Sequence, residues 1–257
     1  MVPNKGGNML VPNHLGIIMD GNGRWAQARG LDRTKGHLEG LKAARRVTRA
    51  ASEAGVKHLS LYVFSTENWK RSSHEVGFLM GLVSLHLEKE FDFYRELGLR
   101  VVHSGDRAAL PPEVRKSLNR VVAQTATHSG MTINLVLNHG GRDEIIRAVN
   151  RWAQAASETT PKNSEPLSFT ESDLRNHLDV PDLPDLDLMI RTGGEMRLSN
   201  FLLWQAAYAE FVFNDKLWPD FDDTDLHTAL NEYAGRGRRF GGVPAVECPV
   251  AAQVVYP

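Results

Sequence analysis

The sequence predicts an α/β fold, a single domain with a mostly parallel six-stranded sheet flanked by helices. Three observations carry that expectation. Six short apolar runs alternate with stretches of helical periodicity. The polar, proline-bearing stretch Ser157–Ser168 is followed by more of the same alternation, so it reads as a surface loop inside one domain. At 257 residues with 42% hydrophobic content, the chain is long enough to bury a sizeable core.

The elements follow in order. His14–Met19 is an apolar strand that ends on Asp20, passes Gly21 and Gly23, and turns helix-compatible from Arg24. Lys35–Ala54 places Leu38, Leu41, Ala44, Val47 and Ala51 on one helical face, and Gly55 ends it. Val56–Phe64 is the second strand, followed by a polar turn, Ser65–Arg71. Glu75–Leu97 reads as one long helix, and Leu99–Ser104 as the third strand. Pro111 and Pro112 open a helix that runs to about Ser129. Met131–Asn138 is the fourth strand, ending in His139-Gly140-Gly141-Arg142, with Asp143–Ala156 helical beyond it. Leu186–Arg191 is the fifth strand, Ser199–Ala206 a helix capped by Ser199, Phe211–Phe213 the sixth strand and Asp222–Ala234 the last helix. Residues 1–12 are expected to be a flexible N-terminus and 243–257 an irregular tail.

Bulk properties narrow the function. A net charge of −1 gives no global attraction to nucleic acid, so any anion preference must come from local arginines. The single cysteine, Cys248, excludes an intramolecular disulfide and argues against a cysteine metal cage. Residues 1–12 hold no apolar signal segment, and no run is long enough to span a bilayer. The expected location is the cytoplasm.

Chemistry concentrates at strand ends, where ligands of parallel sheets sit. A strand, a glycine turn and a helix start at Asp20-Gly21-Asn22-Gly23-Arg24 form an anion site. Asp20 beside an anion requires a bridging cation, and Mg²⁺ between carboxylate and phosphate is the usual solution. The stretch also fits the dinucleotide fingerprint G-x-G-x-x-A, so a Rossmann oxidoreductase competes, as does a plain tight turn. Against the Rossmann reading, no acidic residue ends a second strand about 20 residues on. Arg24, Arg33, Arg71, Arg142, Arg191 and Arg197 fall on the same presumed edge, enough for two phosphate-bearing groups. Arg191–Asn200 repeats the opening pattern of strand, glycines and arginine. His37 alone reads as a helix-face histidine, and His103 and His139 carry no stronger signal. Asp222–Asp225 fits helix N-terminal charge better than an aspartate-rich diphosphate motif. Neither an HExxH pair nor a G-x-S-x-G elbow occurs, which removes zinc hydrolases and α/β-hydrolases.

Assembled, the runs HLGIIMDGNGRWA, KGHLEG, FSTENWKR, NHGGRDEI, RTGGEMRLSNFLLWQAAYAEFVF and WPDF with RRFGG resemble the cis-prenyltransferases, the undecaprenyl diphosphate synthase family. The resemblance covers residues 13–242, the expected catalytic domain. It implies a six-stranded parallel sheet, a homodimer, and Mg²⁺-dependent condensation of isopentenyl diphosphate with an allylic prenyl diphosphate such as farnesyl or geranyl diphosphate. The product would be a Z-polyprenyl diphosphate, with undecaprenyl diphosphate for the cell-wall (peptidoglycan) carrier lipid as the expected one, handed to the inner membrane surface without nucleic acid involvement.

By motif position, the resemblance implies that Gly21, Asn22, Gly23, Arg24 and Trp25, helped by Arg33 and His37, bind the allylic diphosphate. Asp20 would hold the metal, with Glu210 as second metal carboxylate. Ser65, Thr66, Glu67, Asn68, Trp69, Arg71 and Glu75 would orient the isopentenyl group, and Arg191, Arg197, Leu198 and Ser199 would bind its diphosphate. Arg24, Ser65 and Asn68 join Asp20 as the expected catalytic set, and Arg239 and Gly241 match an element that reaches a neighbouring subunit. Two positions depart from the pattern: Met196 replaces a histidine near the metal, and His139 replaces a tyrosine. Val63 stands where side-chain size bears on product length. The alternatives are a short-chain or irregular prenyl condensing enzyme, and a non-catalytic prenyl-diphosphate-binding subunit.

Overall fold

The computed structural model describes residues 10–159 and 168–236. The expected flexible N-terminus is described only from Leu10, and the 243–257 tail, Arg239 and Gly241 lie outside these residues.

β1 (His14–Ile18) is buried at every position, which suits a central strand covered on both faces. It pairs in parallel with β2 (His58–Ser65) on one side and β5 (Leu188–Arg191) on the other. β4 (Thr132–His139) joins β2, β3 (Arg100–Ser104) joins β4, and β6 (Glu210–Phe213) joins β5, all parallel. The sheet order is β3-β4-β2-β1-β5-β6, so the six-stranded parallel expectation holds. The strand order reverses between β1 and β5. A crevice opens there at the strand C-terminal ends, the usual place for a ligand.

The helices are α1 (Asn22–Gln27), α2 (Arg33–Glu53), α3 (Ser73–Lys89), α4 (Phe91–Glu96), α5 (Pro112–Thr125), α6 (Gly141–Thr159), α7 (Glu171–Asn176) and α8 (Asp223–Ala234). The main core lies between the sheet and α2, α3, α5 and α8, with Leu15, Val47, Leu59, Leu118 and Leu230 fully buried. The inner face of α2 is mostly glycine and alanine, which lets it lie close against α1. Gly36 is required there, since a Cβ would stand 1.9 Å from the Asn22 carbonyl oxygen of α1.

Three expectations are corrected. The long helix Glu75–Leu97 is two helices, because the chain bends at Glu90 and turns Phe93 and Tyr94 into the core. The polar turn after β2 is a 3-10 helix, Thr66–Lys70, closed by a reciprocal Ser65–Asn68 capping box. Residues 199–206 form successive turns and no helix. Ser199, Asn200 and Leu202 have φ of 46°, 64° and 39°, in the left-handed region that a right-handed helix excludes. The pattern of Asp222–Asp225 is the expected helix start, Asp222 accepting from the Asp225 amide.

Candidate functional site

Local sequence places the charges. Gly21 adopts φ 114°, which lets the chain leave β1 sharply, and a Cβ there would meet the Leu217 backbone at 2.9 Å. The Asp20 carbonyl is held on both sides, by the Trp218 amide at 3.0 Å and the Thr192 hydroxyl at 2.8 Å. The Asp20 side chain therefore projects from a fixed backbone. On the adjoining strand, Ile18 is in register with Arg191, whose side chain is 4% exposed. Arg191 donates from Nη2 to Asp20 Oδ2 at 2.9 Å and from Nη1 to Ser199 Oγ at 2.7 Å, and also holds the Arg197 carbonyl. Arg24 lies 3.2 Å from the other Asp20 oxygen. Ser199 is thus a partner of Arg191, in place of the helix cap expected from sequence.

A second charged group faces this one. The Glu75 carboxylate lies 3.1 Å from Arg71, 3.7 Å from His37 and 3.8 Å from Arg33. Burial, with Arg71 beside it, pulls the His37 pKa below the usual range, and Glu75 opposes this in part. His37 is neutral at neutral pH. Its Nε2, Asn22 Oδ1 and Arg191 Nε are buried without a hydrogen-bond partner. Unsatisfied polar atoms at one cleft are what a polar ligand would complete.

Both groups stand at the mouth of a cavity of about 690 Å³. Its polar end is lined by Asp20, Asn22, His37, Ser65, Glu67, Asn68, Arg71, Arg191, Arg197, Ser199 and Asn200. Its depth is apolar, between α2, α3 and strands β2 and β4, with Leu41, Leu61, Leu79, Leu82, Val83 and Leu137 in its wall. Val63 lines it too. This is a volume in the range of about 300–1,000 Å³ common for small-molecule sites.

Several expected residues stand elsewhere. The Trp25 indole donates to Asp220 at 2.7 Å and carries Arg29 on its face, away from the cavity. Trp69 donates to Asn138 at 2.7 Å and packs edge-on against Phe64. The Thr66 hydroxyl donates to Glu67, and Leu198 packs in a small cluster with Phe201. None of these four lines the cavity. Glu210 is not brought beside Asp20 within the chain: it opens β6 opposite Leu188, at the strand's N-terminal end, and its carboxylate pairs with Arg236 at 2.8 Å. Met196 is 77% exposed. Asn200 went unrecognised in the sequence. Its Nδ2 donates to Glu67 at 2.8 Å and its Oδ1 accepts from the Arg142 amide at 3.0 Å, tying the Arg191 loop to the 3-10 helix. An asparagine directly after Ser199 was the available signal.

His139 is likewise structural. It is fully buried at the end of β4, its pKa lowered to about 4 by burial, beside Glu144 and Asp179. Those three could in principle offer metal ligands, but Asp179 is already bound by Arg147 and Arg151 and by the Gly105 amide. A guanidinium in that position leaves no call for a cation.

Comparison with known proteins agrees with the geometry. The prenyltransferase family model, described as undecaprenyl diphosphate synthase, matches residues 18–241. An isoprenyl transferase of Treponema pallidum is 52% identical over 230 residues, 90% of this chain and 99% of that protein. A decaprenyl diphosphate synthase of Mycobacterium tuberculosis is 48% identical over 231 residues, 90% of this chain and 77% of that protein. The crystal structure of lavandulyl diphosphate synthase from Lavandula x intermedia, in complex with dimethylallyl diphosphate, superposes with a TM-score of 0.84 at 33% identity, over 90% of this chain and 98% of that one.

Proposed function

The chain belongs to the undecaprenyl diphosphate synthase family of prenyltransferases, the cis-polyprenyl diphosphate synthases, and from that premise we propose its substrates and product. It condenses isopentenyl diphosphate with farnesyl or geranyl diphosphate and makes a Z-polyprenyl diphosphate, undecaprenyl diphosphate being the reading we favour. The observation that supports this best is the polarity of the cavity, with arginines and Asp20 at its mouth and hydrocarbon side chains in its depth. A diphosphate head and a prenyl tail have the same division.

The reaction breaks the allylic carbon–oxygen bond, and the electron pair leaves with the diphosphate. The isopentenyl double bond attacks the allylic cation, and a proton is then lost from the new chain. Catalysis therefore needs positive charge on the leaving oxygens more than a nucleophile. Arg24, the free amides after Gly21 and Arg33 would take the allylic head, and Arg191, Arg197 and Ser199 the isopentenyl head. Ser65, Asn68, Arg71 and Glu75 would orient the isopentenyl group for proton loss.

Mg²⁺ binds through one or two carboxylates plus phosphate oxygens and water, so a lone Asp20 at a phosphate site fits it. When bound it would neutralise developing charge on the leaving group. Asp20 would hold it, exchanging its arginine partners for the metal. Glu210 could join only from another subunit. A homodimer is part of the proposal, supported by Met196, Tyr208 and Phe213, apolar side chains exposed on the β5–β6 side. Among the described residues no helix is long and apolar enough to cross a membrane, which accords with a cytoplasmic enzyme that delivers product to a membrane surface.

Incubation with labelled isopentenyl diphosphate, Mg²⁺ and farnesyl or geranyl diphosphate, followed by resolution of product lengths, tests the reading. Absence of elongation with both primers would refute it. The likeness to lavandulyl diphosphate synthase favours one second reading, an irregular coupling. Product from dimethylallyl diphosphate alone would establish that instead.

A further inference from the structure

We propose that His86, backed by Glu90 and Arg45, is the stop that limits how far a prenyl chain extends into the cavity and so sets product length. The inference rests on the prenyl reading of that cavity. It goes beyond it by naming a polar device in the apolar end.

The cavity follows one stripe of α3. Leu79, Leu82, Val83, His86 and Leu87 line it at helical spacing, and Glu75, on the same stripe, stands at the charged mouth. His86 is about three turns further on, about 16 Å at the helical rise. The distal wall is otherwise leucine, valine and alanine, apart from Tyr94 of α4. A histidine on that stripe is the one basic group set into it.

His86 is not isolated. Its Nδ1 lies 4.0 Å from Glu90, whose carboxylate is met by Arg45 of α2 at 3.1 Å. Arg45 in turn lies over the Phe93 ring, 4.7 Å from its centroid, which fixes its direction. Side chains of α2, α3 and α4 are thereby linked across the end of the cavity. A growing hydrocarbon gains by covering leucine and valine, and gains less by covering an imidazole, because that strips the ring of its remaining solvent contact.

The groups that face His86 are Glu90 beside α3, Arg45 from α2 and the Tyr94 phenol from α4; strands β2 and β4 contribute only apolar side chains at that depth. Burial lowers the His86 pKa, Glu90 opposes this and Arg45 adds to it. The ring is neutral at neutral pH and gains charge on acidification. A charged ring is a harder barrier to hydrocarbon, so products should shorten as pH falls.

The test uses the full chain with farnesyl diphosphate, labelled isopentenyl diphosphate and Mg²⁺, with product lengths resolved at about pH 8 and about pH 5, below the ordinary imidazole range. The wild-type distribution should shift shorter at the lower pH. His86→Leu should give a modal product longer by at least one isoprene unit and lose the pH shift. His86→Gln, closer in shape and unable to ionise, should lose the pH shift even if the leucine variant fails to fold. An active wild type whose product length ignores pH, or variants that keep its length and pH shift, would overturn the inference alone. A wild type that elongates neither farnesyl nor geranyl diphosphate would overturn the prenyl reading with it.

Discussion

Arg191 grips Asp20 with one terminal nitrogen at 2.9 Å and Ser199 with the other at 2.7 Å. The two strand-end residues flank the point where strand order reverses, and the guanidinium carries the contact onward to the loop after β5. Asp20 is thereby held in place before any ligand arrives. Arg24 meets the other carboxylate oxygen at 3.2 Å, so two guanidinium groups face one carboxylate.

Asp20→Ala should lower kcat by about 10³-fold or more, because it removes the proposed metal carboxylate while leaving the arginines. Far-UV circular dichroism should be unchanged, since Asp20 is partly exposed and lies outside the core. A near-wild-type rate would refute the metal role.

Arg191→Lys should raise KM for isopentenyl diphosphate by about 10- to 100-fold, because an ammonium cannot span Asp20 and Ser199 together. Arg197→Lys should cost less, as Arg197 is 60% exposed and its one ion pair among the described residues is with Glu195. Steady-state kinetics of the two variants in parallel would expose a reversed order.

Gly36→Ala should destabilise the fold by about 1–3 kcal/mol, the cost of overpacking a filled contact. The new methyl meets the Asn22 carbonyl and pushes α1 away from α2, so affinity for the allylic substrate should fall as well. Urea unfolding and KM measured on one preparation would check both.

Glu144 is buried on α6, and burial with the nearby Asp179 carboxylate pushes its pKa up to about 7. A raised acid contributes stability that is full below its unfolded value of 4.5 and is lost as pH rises towards 7. Glu144→Gln should therefore stabilise the protein progressively across that window, by on the order of 3 kcal/mol at its upper end. Melting curves showing an equal gain at pH 4 and pH 8 would contradict this assignment.

His14, His103 and His139 have the opposite sign. Burial lowers each pKa from 6.5 to about 4, so they contribute stability above pH 6.5 that is lost as pH falls through the lowered values. His103 donates from Nε2 to the Leu137 carbonyl at 2.9 Å, where a glutamine amide N–H could substitute. Denaturant titration of His103→Gln should show a flatter loss between pH 6.5 and 4 than the wild type.

The sheet was legible because its strands are continuous apolar runs, and burial on both faces enforces such runs. The charged mouth was legible because Asp20, Ser65 and Arg191 end those strands. Residues 199–206 were not, since their leucines and alanine imitate helical spacing. What decides there is long-range: Asn200 bonds to Glu67 and to the Arg142 amide, and those contacts hold the backbone left-handed. The bend at Glu90 has the same origin, its reason being the burial of Phe93 and Tyr94 against distant elements. Trp25 and Trp69 sat inside the right motifs, yet their indoles serve Asp220 and Asn138, which no local pattern could reveal.

Arg191 ends β5 in register with Ile18, and Asp20 follows just beyond β1 with its carbonyl held by the Trp218 amide and the Thr192 hydroxyl, so the roughly 4.8 Å strand spacing and these two bonds set their approach. The far end of the cavity is framed by helices, whose side chains can be exchanged without disturbing that spacing. The molecule therefore resembles a vice with fixed jaws and an adjustable bore. On the proposed reading, substitutions on α3 would retune chain length while the residues at the jaws stay the same.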